Sequence, residues 1–385
     1  MNKMTLRTVP ALLLLAFSGA ASAAAFQLWE QNASGLGNAY AGSAAVADNA
    51  STVFFNPAGM TQLTGFQLSA GVTGVGPSYE YRNQAGVKSG GDAGSWAAVP
   101  NAYLSGQLTK DLFVGLGISA PFGLATEYDS NWAGKLLAIK SDIKTVNINP
   151  SIAYRVSDKV SLGFGLNYQT IDAELTRTGV VLKGDDSAWG WNAGALFTLS
   201  PAMRVGVSYR SAIKYTLEGT LNGALPIKAD VKLPDTFILS VWQQVSDRWE
   251  AMGDLSYTRW NTLDKLTVIN RNSGAPLGAP EVFNYENSWR FAWGAGYKAT
   301  EAAKLKFGIA FDRTPVRDEF RSPRVPDNNR LWLSLGGQWN AGAYGKVDLG
   351  YSYLYVIDPT IAQPGLQGKY DASAHIVGMQ YSVGF

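Results

Sequence analysis

Counting back from its last residue, Phe385, the chain sets Val383, Tyr381, Met379 and Val377 against Gly384, Ser382, Gln380 and Gly378. Successive side chains on a strand point to opposite faces, so a period of two means one oily and one wet face. The pattern recurs. Val160, Leu162, Phe164, Leu166 and Tyr168 stand against Ser161, Gly163, Gly165, Asn167 and Gln169, and Leu305, Phe307, Ile309 and Phe311 against Lys306, Gly308, Ala310 and Asp312. A soluble sheet with one buried face would give the same period, so what the oily face meets must be read from the rest of the chain.

The N-terminus carries Lys3 and Arg7, an apolar run from Val9 to Phe17, and small residues ending Ala21-Ser22-Ala23. This is the layout of a secretory signal over residues 1–23, with Ala24 as the mature start. Its apolar core falls short of the ~20 residues that a spanning helix needs, and no other long apolar run follows. The chain is 46% hydrophobic with a mean hydropathy of -0.05, because alternation spreads its apolar residues out. Its 42 Gly, 18 Tyr and 12 Trp suit closely packed strands with aromatic girdles at two membrane interfaces. Zero cysteines exclude disulfides, thiol chemistry and a lipid-bearing cysteine. A net charge of +2 without charge blocks gives no sign of nucleic acid. Leader, strands and terminal aromatic together select lipid, and the expected fold is all-β: a closed antiparallel transmembrane barrel in the outer membrane of a Gram-negative bacterium.

Tight polar turns fall at Lys110-Asp111, Ser157-Asp158, Ser200-Pro201, Ser246-Asp247, Ala299 to Ala302 and Ala341-Gly342. They lie about 40 to 55 residues apart, room for two membrane strands of ~9 to 11 residues or more and one longer loop. Longer polar or Pro/Gly-rich stretches lie near residues 82–97, 128–142, 179–187, 219–231, 268–286, 315–328 and 358–371. Six turns alternating with seven loops give fourteen strands over residues 65–385, with both chain ends periplasmic. Residues 82–100 and 268–286 leave twelve or sixteen open.

Residues 24–64 do not alternate. They are rich in small residues, yet Leu28, Trp29, Tyr40, Val46, Val53, Phe54, Phe55 and Met60 are too apolar for a disordered tail. The reading is a compact plug, or hatch, inside the barrel. In the third strand, Leu112, Val114, Leu116 and Ile118 face outward until Ala120-Pro121-Phe122-Gly123. Pro removes a ladder donor and a closed barrel has no edge to hide it, so the strand is expected to break there, by a bulge or by an opening.

Phe26-Gln27-Leu28, Ser34-Gly35-Leu36-Gly37, Ala39-Tyr40, Ala47-Asp48 and Asn56-Pro57-Ala58 resemble the N-terminal hatch of the long-chain fatty-acid transport channels of the outer membrane, a family that includes aromatic-hydrocarbon porins. Further matches are Gly123-Leu124-Ala125-Thr126-Glu127-Tyr128, Trp189-Gly190-Trp191-Asn192-Ala193-Gly194, Tyr209-Arg210-Ser211, Gly308-Ile309-Ala310-Phe311-Asp312, and Val325-Pro326-Asp327 followed by Arg330-Leu331-Trp332-Leu333-Ser334. The resemblance implies a fourteen-stranded barrel with a hatch in its periplasmic half. It also implies lateral exit of a hydrophobic molecule through a kinked third strand at Pro121, Phe122 and Gly123. It implies that Asn56, Pro57 and Ala58 anchor the hatch and that Phe26 touches the ligand.

Other candidate contacts are Leu28, Phe54 and Phe55, which hatch packing alone would also explain, and the basic residues Arg177 and Arg210 for a carboxylate. Arg155, Lys214 and Arg290 are basic as well, but Asp254, Asp312 and Asp348 on inward registers allow a simple ladder of opposite charges. The stretch Thr178 to Ser187 is shorter than the insertion found in fatty-acid members, so capture has to be built differently here. Expected function is passive uptake of long-chain fatty acids or similar hydrophobic molecules by a monomer in outer-membrane lipid. The alternatives are a monoaromatic hydrocarbon or alkane channel, and a general porin or structural surface barrel. The lone histidine, His375, lies on an outward register, and no Ser/His pair, metal cluster or phosphate loop is evident, so neither an enzyme nor a cofactor is expected.

Overall fold

Each of the fourteen antiparallel strands pairs with its neighbour in sequence, and the last returns to the first among residues 25–385, which the computed structural model describes. The leader expected over residues 1–23 lies outside the described residues. The first seven strands are β1 (Phe66–Asn83), β2 (Ala97–Gln107), β3 (Leu112–Ser119 and Gly123–Glu127), β4 (Lys140–Ser157), β5 (Val160–Arg177), β6 (Val180–Ser200) and β7 (Met203–Arg210 and Ile213–Leu221). The rest are β8 (Leu225–Leu233 and Thr236–Gln244), β9 (Trp249–Thr258), β10 (Ser288–Lys298), β11 (Ala303–Asp312), β12 (Arg330–Asn340), β13 (Lys346–Val356) and β14 (Leu366–Gly384). Closure runs from Gln67 opposite Gly384 to Asn83 opposite Gly368. The terminal residue seals it: Phe385 exchanges backbone hydrogen bonds of 2.9 and 3.0 Å with Phe66, and their rings stack at 6.1 Å.

The oily faces point outward. Leu162, Phe164, Leu166, Leu331, Leu333 and Leu335 are all exposed, as lipid-facing residues of a barrel must be. Aromatic pairs mark both ends of this band, Tyr168 with Trp189 and Tyr257 with Trp289 on the loop side, Trp249 with Tyr297 on the turn side. The turns sit where the sequence puts them, but three expected loops are strand. Of residues 179–187, all but Gly179 run within β6 after a turn at Thr178-Gly179, 219–231 lie mostly in β7 and β8, and 358–371 form a hairpin of Thr360–Gln363 with β14. Beyond the bilayer both faces of a strand meet water, so the alternation vanishes while the ladder continues. Charged rungs such as Lys140–Glu174 at 3.0 Å and Lys183–Glu174 at 3.5 Å replace it.

Residues 25–63 form no barrel strand. They coil through short helical turns at Leu36–Asn38, Thr52–Phe55 and Pro57–Gln62, nearly all buried. The first turn packs on β10 to β13 and the last on β2 to β6, opposite parts of the ring, so the segment fills the lumen. Glycines of the wall admit it: a Cβ at Gly163 would lie 2.3 Å from Ala58 N, and one at Gly194 2.1 Å from Asn56 Oδ1.

Candidate functional site

β3 breaks at the proline. Its ladder with β4 stops at Ser119 opposite Asn147 and resumes at Gly123 opposite Lys144, so Ala120, Pro121 and Phe122 face only Thr145 and Val146. The Thr145 hydroxyl fills in, accepting from Phe122 N at 3.0 Å and donating to Phe122 O at 2.7 Å. On the other side the ladder with β2 ends at Ala102 opposite Ile118, and beyond the break Glu127 N donates to Ala93 O, ahead of β2, at 2.9 Å. Residues 97–101 of β2 therefore pair with β1 alone. Gln107 N donates towards β1 and Leu108 N towards β3, which puts the missing N–H of Pro100 on the unpaired edge. An edge is where a sheet tolerates proline.

The N-terminal segment is tied to this break. Leu28 N donates to Pro121 O at 2.8 Å, Gly123 N to Phe26 O at 2.9 Å, and Gln31 Nε2 to Ala120 O at 2.8 Å. Phe26 then points into an apolar lumen, 4.9 Å edge-on from Trp260 and 6.1 Å from Phe122. Leu124, Ile171, Ile213, Tyr215 and Tyr285 belong to the same cluster. Ala25 N donates to Asp327 Oδ2 at 2.8 Å, and Asp327 pairs with Arg330, so the start of the described chain is held at the lumen wall.

Several ties hold the rest of the segment. Asn56 Nδ2 donates to Ala44 O at 2.8 Å and to Ala195 O of β6 at 3.0 Å, while Asn56 Oδ1 accepts from Ala58 N at 3.1 Å. Arg290 pairs with Asp312 at 2.8 Å, reaches Ala39 O at 2.7 Å and lies over Trp29. Lys306 joins Asp348 to Ser34 O, each at 2.7 Å, and Asp254 accepts from Gly42 N and Ser43 Oγ. Burial pushes the Glu30 carboxyl up to about 7 although Arg330 and Arg290 draw it down.

The sequence candidates fall into different places. Phe26, Phe122 and the break at 120–123 come together. Leu28 packs in a separate buried cluster with Trp29 and Tyr40. Phe54 and Phe55 meet edge-on at 5.1 Å inside the segment, Phe55 stacking on Tyr40 and Phe54 lying 4.0 Å beneath Arg210. Arg210 is in the wall's interior, whereas Arg177 stands at the outer rim. Arg177 lines an outer groove of about 550 Å³ with Leu137, Leu182, Leu221, Leu266, Phe320 and Arg324. Arg290 is a charge-ladder member. Sequence reasoning missed Trp260 and Tyr285, which follow a strand in a stretch without period, and the pairing of Asn149 with the ladder. There Asn149 Nδ2 donates to Leu166 O at 2.7 Å beside Pro150, which has no N–H to offer.

A family model described as outer membrane protein transport protein (OMPP1/FadL/TodX) matches residues 14–385. Outer membrane protein P1 of Haemophilus influenzae is 33% identical over 421 residues, covering 92% of this chain and 90% of its own. The long-chain fatty acid transport protein of Escherichia coli K12 is 28% identical with both chains fully covered. Among solved structures, a Pseudomonas aeruginosa FadL homologue superposes with a TM-score of 0.87 at 22% identity, covering 94% of this chain and 100% of that one. The Pseudomonas putida toluene transporter TodX gives 0.72 at 18% identity over 94% and 100%. Matched along almost its whole length, the chain belongs to the OMPP1/FadL/TodX family of outer-membrane transport proteins.

Proposed function

We propose that this chain is a passive, monomeric channel carrying long-chain fatty acids or similar hydrophobic molecules across the outer membrane, with lateral exit beside β3. The observation that carries this reading is the unpaired edge of β2 at 97–101 next to the broken stretch 120–122 of β3, with Phe26 and the apolar lumen directly behind it. A greasy molecule gains ~0.8 kcal/mol per buried methylene, so it prefers an apolar lumen and a sideways door into lipid to a watery pore. Residues 25–63 act as the hatch that denies water a straight path, anchored by Asn56, Pro57 and Ala58. The outer groove serves as the first capture site, its leucines taking the chain and Arg177, which has no acidic partner within 4 Å among the described residues, taking a carboxylate. The fatty-acid transport proteins among its relatives support the substrate class.

A second reading, uptake of monoaromatic hydrocarbons, is favoured by the two-residue turn at Thr178-Gly179, which leaves no room for a large capture insertion. The test is uptake of labelled oleate and labelled toluene by cells that lack their own fatty-acid channel and express this chain. Oleate entry supports the first reading, toluene entry alone the second, and entry of neither overturns both.

A further inference from the structure

Cargo that leaves the outer groove for the apolar lumen has to cross a roof. Phe26, Phe122, Leu124, Trp260 and Tyr285 are each at most 5% exposed, so the lumen is shut from outside. Two connections cover it, residues 259–287 between β9 and β10 and residues 313–329 between β11 and β12. Each has two working faces. Trp260 and Tyr285 of the first and Val316 and Val325 of the second belong to the lumen cluster, while Leu266 and Glu281 of the first and Phe320 and Arg324 of the second line the groove.

The second connection is a strap. Its backbone hydrogen bonds to other elements stop at Pro315 O, which accepts from Glu286 N, and resume at Asn329 O, which accepts from Ile357 N, among the described residues. Side chains hold the span between them. Arg321 gives it shape, donating through Nε to Asp327 O and pairing with Asp318, each at 2.7 Å. Arg324 carries it across the ring. The Nη1 of this buried guanidinium donates to Lys140 O at 3.2 Å, Ser141 Oγ at 3.1 Å and Thr176 O at 3.3 Å, and its Nη2 donates to Leu137 O at 3.1 Å. Lys140 and Ser141 begin β4 and Thr176 lies at the end of β5, the strands opposite β11 and β12 in the ring of fourteen. Its Nε lies 3.4 Å from Glu281 Oε2, so one side chain joins the strap, the other roof connection and the far wall. The Tyr128 hydroxyl adds a bond to Pro323 O at 2.7 Å.

A guanidinium offers several charged donors in one rigid fork, which makes a firm clip for a segment that has no ladder of its own. Arg324 also lines the groove, so on release its head enters water and not the lumen. Val325, the next residue, packs in the lumen cluster, and lifting the strap at Arg324 uncovers the lumen directly beneath.

We propose that Arg324 is a positioning residue for uptake: it latches the strap 313–329 shut over the lumen, and cargo passes from groove to lumen when this latch releases. This rests on the proposed uptake function and adds a gate to it. The gate acts on the whole cargo and reads no headgroup.

The chain has no cysteine, so introduced thiols are unambiguous. Labelling of Val325→Cys by a polar maleimide reads strap opening, because that position is buried in the lumen cluster. Adding Arg324→Met is expected to speed labelling at least about tenfold, the scale of losing hydrogen bonds from a charged group. Arg324→Lys, which keeps a charged donor, should fall between. Unchanged labelling in Arg324→Met overturns the latch. Should Arg324→Met fail to reach the surface, Tyr128→Phe, which frees Pro323 O, carries the same expectation at about threefold or more.

Passage is read separately. Leu137→Cys and Ser322→Cys both line the groove, and a short bismaleimide ties the strap to the far side through them. The same protein capped with N-ethylmaleimide carries similar bulk without the tie. Cells with the tied form should take up labelled oleate and toluene at least about tenfold more slowly than cells with the capped form, the same scale as the latch itself. Equal uptake by tied and capped forms overturns the gate and leaves the uptake function standing. If the untreated protein admits neither cargo, the uptake function falls and the gate falls with it.

Discussion

Replacing Asn56 with Ala removes the tie between residues 25–63, the proposed hatch, and the wall at a defined cost. The amide makes three hydrogen bonds, to the carbonyls of Ala44 and Ala195 and from the amide of Ala58, and the residue is fully buried. Each orphaned group costs about 1 to 1.5 kcal/mol, so about 3 to 4 kcal/mol of docking is lost. At about 1.4 kcal/mol per decade, the undocked population of residues 52–62 rises by more than about a hundredfold. The barrel ladders do not use the Asn56 side chain, so the strands persist and the variant keeps its heat-modifiable gel mobility. We predict that purified Asn56→Ala is cut by chymotrypsin near Phe54 and Phe55 under conditions that spare the wild type, and that it shows noisy openings in planar bilayers. Unchanged cleavage together with unchanged conductance would refute the reasoning, because the hatch would then be held elsewhere.

Gly194→Val presses on the same joint from the wall side, since its Cβ would lie 2.1 Å from Asn56 Oδ1. It should loosen the hatch as Asn56→Ala does, and the double variant should add little to either, a coupling measured by the same proteolysis cycle. Glu30 gives the packing a pH dependence. Burial raises its carboxyl from the usual 4.5 to about 7, so the packed state favours the protonated form. This contribution is full below the unfolded value and is lost as pH rises through the folded one. Hydrogen exchange of residues 28–40, corrected for intrinsic rate, should speed up between about pH 5 and 7.5, and Glu30→Gln should flatten that rise; a variant with the wild-type slope would contradict the assignment.

What the sequence made legible follows from which solvent each face meets. Where one face is in lipid, as at Leu162 to Tyr168 or Leu305 to Phe311, alternation identifies the strand, and the polar turns count the hairpins. Above the bilayer that contrast is gone, so strand residues 180–187, 219–221 and 225–231 read as loop although their ladders continue. The break of β3 was legible because Pro121 lacks a donor that a closed wall needs. The lumen was less so. Trp260 and Tyr285 lie outside any period, and the hydrogen bonds from Arg210 to Asn167 and from Asn167 to Asn192 exist only through the register of three strands, which single residues do not encode. Gly163 and Gly194 read as the wet face of a strand, while the structure gives them a steric reason: the hatch backbone and Asn56 occupy the space of a side chain.

The central claim, that cargo leaves sideways through the break in β3, is tested most directly by deleting Pro121. Three residues of β3 face two of β4 there, so the deletion restores an even register and allows the ladder to run from Ser119 to Leu124. Phe122 keeps its inward direction, and each ladder hydrogen bond gained adds about 0.5 to 1.5 kcal/mol, so the barrel is expected to fold at least as well. The account predicts that cells expressing this deletion carry normal surface amounts of the protein with wild-type low conductance, yet take up almost no labelled oleate or toluene. Uptake at the wild-type rate through a wall shown to be closed would contradict lateral exit.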